Sequence, residues 1–383
     1  MQVASIPRGR STVERAVFTP SGDLLLVTVQ LTRATAALWN FVVAPALELG
    51  TVGHSLRQFA FLGKKALLVR DDTKIWNVFW DRKVRAPRFN EVPSPCSQTG
   101  YALAGFSSDG SRVACIGTAA AEMVEVWSTS SPAPSRVFRR PAASVGLVQL
   151  SPDGSRLAVV RGASGSREDT AEADIWDIDG GRRLAALPAL KGGFEAVAFA
   201  PDNASIAIVK HDGTADVWDL GRLRGPRNPP MPERRFVLHH GGVIFALAYN
   251  PNPRFPQIAT VGDDGLIKLW NSASGESIHT DTKMHEEDVH DVAFSADGRR
   301  MATSSTRGQV RLWDTADGRA ILVFYGSRYT GIAFSQDGAL LAMAADNGLM
   351  QLEILDVDWL TKIARERLDD LKKKRQGRAA LEP

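Results

Sequence analysis

Two histidines five residues apart, His285 and His290 in the run HEEDVH, are the side chains here that come nearest to a reactive site, because paired imidazoles commonly open a zinc site. The spacing does not suit one. A zinc protease needs its histidines four apart on one helical face, whereas HEEDVH falls on a loop running into a strand, so structural histidines are expected. Asp263 and Asp264 are adjacent carboxylates, but they occupy a tight turn where aspartate bonds to the local backbone, which makes them poor partners for acid and base work. The run LGKK, Leu62 to Lys65, lacks the earlier glycine and the following hydroxyl of a phosphate loop, so no ATP hydrolysis is expected of this chain. A Gly-x-Ser-x-Gly elbow is also missing, which removes serine hydrolase chemistry. Cys96 and Cys115 have no metal-ligand spacing and are read as two ordinary thiols in a reducing compartment. Catalytic residues, metals and cofactors are therefore not expected.

The elements that would position side chains repeat along the chain. A large apolar residue closes a short alternating strand at Phe18, Phe61, Phe106, Leu150, Phe199, Tyr249, Phe294 and Phe334, at a mean interval of about 45 residues. Downstream of each lies a strand bearing Trp39, Trp76, Trp127, Trp176, Trp218, Trp270 or Trp313, with Glu353 in that place in the last unit. Turn signals such as SPDG at Ser151 to Gly154 and SADG at Ser295 to Gly298 fall between the marks, where proline, aspartate and glycine each favour a tight reversal. A four-stranded sheet with two apolar faces cannot shield itself, so neighbouring sheets must stack around a ring. The expected class is all-β, a single propeller spanning residues 1–355 with eight blades, or seven if the short second unit forms no sheet. Trp359, Leu360, Ile363, Ala364 and Leu368 lie at helical spacing, which predicts an amphipathic helix over 356–376 followed by a disordered tail, 377–383.

Hydrophobic residues make up 44% and charged residues 23% of the chain, enough apolar side chains for a large core. No apolar stretch approaches the ~20 residues of a membrane span, and MQVASIPRGR lacks the core of a secretion signal, so a cytoplasmic protein without a membrane contact is expected. The net charge is +3, yet the segment from Lys362 to Arg378 alone carries eight basic and three acidic residues. The remainder is therefore slightly acidic, which disfavours nucleic acid as a partner except through Lys372, Lys373, Lys374 and Arg375 in the tail.

The segments His240 to Glu276 and His285 to Arg319, with Trp-Asp pairs at Trp176-Asp177, Trp218-Asp219 and Trp313-Asp314, resemble WD40 repeats, and the resemblance covers roughly residues 12 to 355. It implies a hydrogen-bonded structural set, which falls on His240, Thr260, Asp264 and Trp270 in the sixth unit. In the seventh it falls on His285, Thr303 and Trp313, with Arg307 where an aspartate is expected. The family's habit of closing its ring with strands from both chain ends implies that Gln2 to Ile6 supplies the last unit's fourth strand. The closing segment LDVDWLTKIARERL is similar to WD40 domains of bacterial signalling proteins, including STAND-type NTPases, in which the propeller senses a ligand.

Once the hairpins fix the frame, the residues that start each innermost strand or precede the second turn should surround one mouth of the channel. They are Glu14, Glu195, Phe245, His290 and Thr330, joined by His211, Asp263 and Thr306. This mixed set suits a protein or peptide surface, with Phe245 and His290 as anchors, because interface energy concentrates in a few aromatic or multiply bonding side chains. The expected function is a non-catalytic interaction or ligand-sensing propeller, possible as the sensor of a bacterial signalling or defence protein. The alternatives are a constitutive scaffold and an enzyme propeller of the lactonase or peptidase-associated kind.

Overall fold

Three Ser-x-Asp-Gly turns build the same hairpin. Ser151, Ser295 and Ser335 donate their hydroxyls to Asp153, Asp297 and Asp337 at 2.7, 2.6 and 2.7 Å, and each serine oxygen accepts the backbone N–H five residues on. Gly298 closes one such turn at φ 70°, where a side chain would be strained and a Cβ would collide with Asn250 Oδ1.

In the computed structural model, strands are described between residues 11 and 354, and side chains, with gaps, between residues 105 and 355. Among the described residues the strands assemble into eight antiparallel sheets, numbered here in chain order. The first holds Ser11–Phe18, Leu24–Gln30 and Arg33–Ala34. The second runs from Gln58–Leu62 outward to Arg88–Val92, and the third from Tyr101–Phe106 to Pro134–Arg139. The fourth begins with Val145–Leu150 and the fifth with Ala196–Phe199. The sixth comprises Ile244–Tyr249, Gln257–Gly262, Ile267–Asn271 and Ser277–His279. The seventh comprises Val289–Phe294, Arg300–Ser305, Gln309–Asp314 and Ala320–Tyr325. In the eighth, Tyr329–Phe334, Leu340–Ala345 and Leu349–Ile354 take Leu47–Thr51 as their fourth strand.

The chain divides into two compact units, residues 48–352 and a second one formed by 1–47 with 353–383. Within 48–352 the innermost strands of the second to eighth sheets pack in chain order, and that of the eighth packs against that of the second, so the seven sheets close on themselves. The Gln2 to Ile6 strand expected at the closure lies outside the described residues, as do the helix over 356–376 and the basic residues Lys372 to Arg375; the fourth-strand place in the eighth sheet is held by Leu47–Thr51.

Period-two alternation explains the stacking. All of Ser205–Val209 is buried: Ile206 and Ile208 pack into a core with Val160 and Ile175 of the fourth sheet, while Ala207 and Val209 pack into another with Ile258 and Trp270 of the sixth. Each apolar face thus leaves water only by meeting a neighbour, at about 1.5–3 kcal/mol for each large side chain buried. Polar latches add register. Arg156 donates to Asn203 O at 2.7 Å, Asn252 to Asp297 O at 2.6 Å and Arg300 to Gly338 O at 3.0 Å, each reaching the first hairpin turn of the next sheet. One expectation is corrected: Cys115, fully buried on its strand, is disulfide-bonded, not an ordinary thiol, and the chain's one other cysteine is Cys96.

Candidate interaction site

Five of the eight expected mouth residues share a backbone feature that residue types alone do not show. Glu14, Phe245, His290 and Thr330 each fall at a register irregularity on the innermost strand, between Val13 and Arg15, Ile244 and Ala246, Val289 and Asp291, and Tyr329 and Gly331. Glu195 has the same place in the fifth sheet, where its N–H reaches Val209 O at 2.9 Å while Ala196 is already paired with Val209. A bulge leaves one residue outside the ladder and re-aims its side chain, so each of these five sheets presents one such residue near the start of its innermost strand.

Three of these side chains, with their neighbours, form contacts. The Phe245 ring stacks on His290 at 5.3 Å between centroids and 25° between planes, and both are half-buried. His290 Nε2 also lies 3.5 Å from Thr306 Oγ1 and 3.4 Å from Arg328 Nη2, and Thr306 donates its hydroxyl to Asp288 O at 3.1 Å. Burial and the Arg328 charge hold the imidazole below its ordinary value, with Asp288 opposing them. Glu195 pairs instead with His211 of its own sheet, at 3.0 Å. Asp263 does not join the cluster; its carboxylate accepts Val243 N–H at 2.8 Å and fixes the entry loop of the sixth sheet. The side chains of Glu14 and Thr330 lie outside the described residues.

The structural set of the sixth sheet also comes together. Trp270 Nε1 donates to Thr260 Oγ1 at 2.9 Å, that oxygen lies 2.8 Å from His240 Nδ1, and His240 Nε2 lies 3.2 Å from Asp264 Oδ1. One tautomer satisfies all three contacts: the threonine hydroxyl donates to Nδ1, and Nε2–H donates to the carboxylate. Burial lowers the His240 pKa although Asp264 pulls it up, so the ring is neutral. In the seventh sheet Trp313 Nε1 donates to Thr303 at 2.8 Å and His285 Nε2 lies 2.9 Å from the same oxygen. His285 Nδ1 is buried without a partner, and Arg307 turns away to pair with Glu287. Burial and the Arg311 charge push His285 down to about 3.

Three features have no counterpart in the sequence reading. Arg328 was missed because it lies before the bulge and outside the aligned positions; its signal is that it directly precedes an innermost strand. Asp291 accepts N–H groups from Val292 at 2.8 Å and from Ile332, on the next sheet, at 2.9 Å, and burial raises it to about 7. Asp174, 2% exposed, binds Arg161 at 2.5 Å and Arg183 at 3.0 Å. Among the described residues no group of three or more histidines, cysteines or acids could hold a metal ion, and no helix is long and apolar enough to cross a membrane.

Comparison with known proteins gives a consistent frame. The family model for the WD domain, G-beta repeat, matches residues 232–271 and 275–314, each stretch beginning with the outermost strand of one sheet and ending on the third strand of the next. Periodic tryptophan protein 2 of Arabidopsis thaliana is 24% identical over 48% of this chain and 23% of its own length. Apoptotic protease-activating factor 1 of Rattus norvegicus is 27% identical over 35% of this chain and 11% of its own length. The guanine nucleotide-binding protein subunit beta of Zea mays is 26% identical over 40% of this chain and 55% of its own length. The chain therefore spans less than two thirds of each of these relatives. In the stretches 232–271 and 275–314, which run from the fifth sheet to the seventh, the chain carries WD40 repeats.

Proposed function

We propose that residues 48–352 form a seven-bladed WD40 propeller that docks a protein or peptide partner on the strand ends carrying its bulges, without catalysing a reaction. The observation that carries this reading is the half-buried stack of Phe245 on His290, two side chains at bulges of adjacent sheets, both partly exposed to solvent. Relatives named as subunits, the guanine nucleotide-binding protein subunit beta and TFIID subunit 5 of Caenorhabditis elegans, support a platform role. Likeness to a protease-activating factor favours the finer reading in which docking is sensed and passed to another domain. Affinity purification of the wild-type chain and of a Phe245→Ala, His290→Ala variant from the native host tests it. A stoichiometric partner lost in the variant, at unchanged melting temperature, supports the reading; a partner retained equally by both overturns it.

A further inference from the structure

We propose that Arg328 and His290 together hold a carboxylate side chain of the docked segment, with the Phe245 ring against the neighbouring apolar part of that segment, and that docking takes up a proton. This rests on the partner-docking reading and names the chemistry recognised.

The first support is an uncompensated cation. Arg328 is exposed, and among the described residues its one polar contact is the ring nitrogen His290 Nε2, at 3.4 Å. Other exposed arginines of the seventh sheet are arranged differently: Arg307 pairs with Glu287, and Arg319 pairs with Asp317 at 2.5 Å. A planar guanidinium matches the two oxygens of a carboxylate far better than the single lone pair of an imidazole.

The second support is spacing. Contacts of 3.4 and 3.5 Å around His290 Nε2 are longer than settled hydrogen bonds, so Arg328 can turn to an arriving anion at little cost. With Arg328 drawn away, Nε2 can bind a proton from solvent. The resulting N–H has two acceptors, the bound carboxylate and Thr306 Oγ1, whose own hydrogen is already given to Asp288 O. Phe245 lies against the ring and also favours the cation that forms.

The charged groups facing His290 are Arg328, which lowers its proton affinity, and Asp288, which raises it. A bound carboxylate cancels the former and adds to the latter. The bound-state value therefore lies above the free one, and affinity should tighten as pH falls between the two, by at most about tenfold per pH unit.

The test follows histidine ring signals by NMR in the full chain, which has seven histidines, during titration with acetyl-Ala-Glu-Ala-amide, its glutamine analogue and its phosphoserine analogue. The glutamate peptide should raise the His290 titration point and bind more tightly at pH 5.5 than at pH 7. Arg328→Gln should abolish both effects, and Arg328→Lys should keep part of them. The proposal is overturned if the glutamine peptide acts equally, if only the phosphoserine peptide acts, if the response survives Arg328→Gln, or if no peptide moves His290. A partner lost on the Phe245→Ala, His290→Ala change while the glutamate peptide does nothing would leave the docking reading standing and remove this one.

Discussion

The sixth and seventh sheets use the same parts and finish them differently. In both, a buried tryptophan N–H and a histidine meet at one threonine hydroxyl, and the threonine faces a basic residue across the strand pair, Lys268 in one sheet and Arg311 in the other. The sixth sheet's chain of donors ends on Asp264. The seventh sheet's ends at a buried nitrogen with no acceptor, because Arg307 stands in the turn and pairs outward. Strand register and burial are nevertheless alike, so the shared apolar cores set the sheet geometry. The polar chain sets how firmly each sheet is held and how its histidine titrates.

The largest effect should come from removing the central oxygen. Thr260→Val leaves Trp270 Nε1 and His240 Nδ1 buried and unpaired, and should cost about 2–5 kcal/mol in denaturant unfolding. Thr303→Val should cost less, because its network has no carboxylate to polarise it. Equal losses would break the comparison. Next in size, Asp264→Ala should cost about 1–2 kcal/mol as His240 Nε2 loses its acceptor. The reciprocal change, Arg307→Asp, should raise the His285 titration point from about 3 in an NMR titration. An unmoved His285 would mean that the missing carboxylate is not what separates the two sheets.

Much of this was legible in the sequence, for a physical reason: turn glycines, closing aromatics and tryptophans are local signals, and each of the described sheets begins with a strand that has one of the closing residues at or beside its end. His240, Thr260, Asp264 and Trp270 were legible as well, since each has a fixed offset from a turn. What escaped depends on distant parts of the chain. That Leu47–Thr51 completes a sheet with Leu349–Ile354 follows from ring closure, which no local period encodes. The ion pairs of Asp174 and the bridge from Asp291 to Ile332 arise where one strand meets another. Alignment picked out Glu14, Glu195, Phe245, His290 and Thr330 as equivalent, while the extra residue that each adds to its ladder became visible only in the strand register.

Acid should weaken the molecule partly through the seventh sheet. His285 has an ordinary value of 6.5 and a folded value of about 3, so the unfolded chain binds a proton that the folded one refuses. Stability present above pH 6.5 is therefore lost as pH falls toward 3. Asp291 has the opposite sign: raised to about 7, it contributes stability below its ordinary 3.8 that is lost as pH rises through 7. That term is common to wild type and His285→Gln. The variant should thus show a shallower loss of stability between pH 6.5 and pH 4 in urea melts, and identical slopes would sink the assignment.

The smallest effect tests whether the network is portable. In the fifth sheet Ile208 stands where the sixth has Thr260: Ile208 faces Asp216 as Thr260 faces Lys268, and Trp218 is placed like Trp270. Trp218 Nε1 is buried with no partner. Ile208→Thr sacrifices apolar burial but offers that N–H an acceptor, so the two terms, each about 1 kcal/mol, should nearly cancel. Ile206→Thr, on the same face but opposite Trp218 itself, puts a hydroxyl where Thr260 has no counterpart and should cost about 1–3 kcal/mol. If both substitutions cost the same, Trp218 gains nothing from the new hydroxyl. The sixth sheet's network would then depend on its histidine and aspartate as well as on the threonine, and could not be transferred one residue at a time.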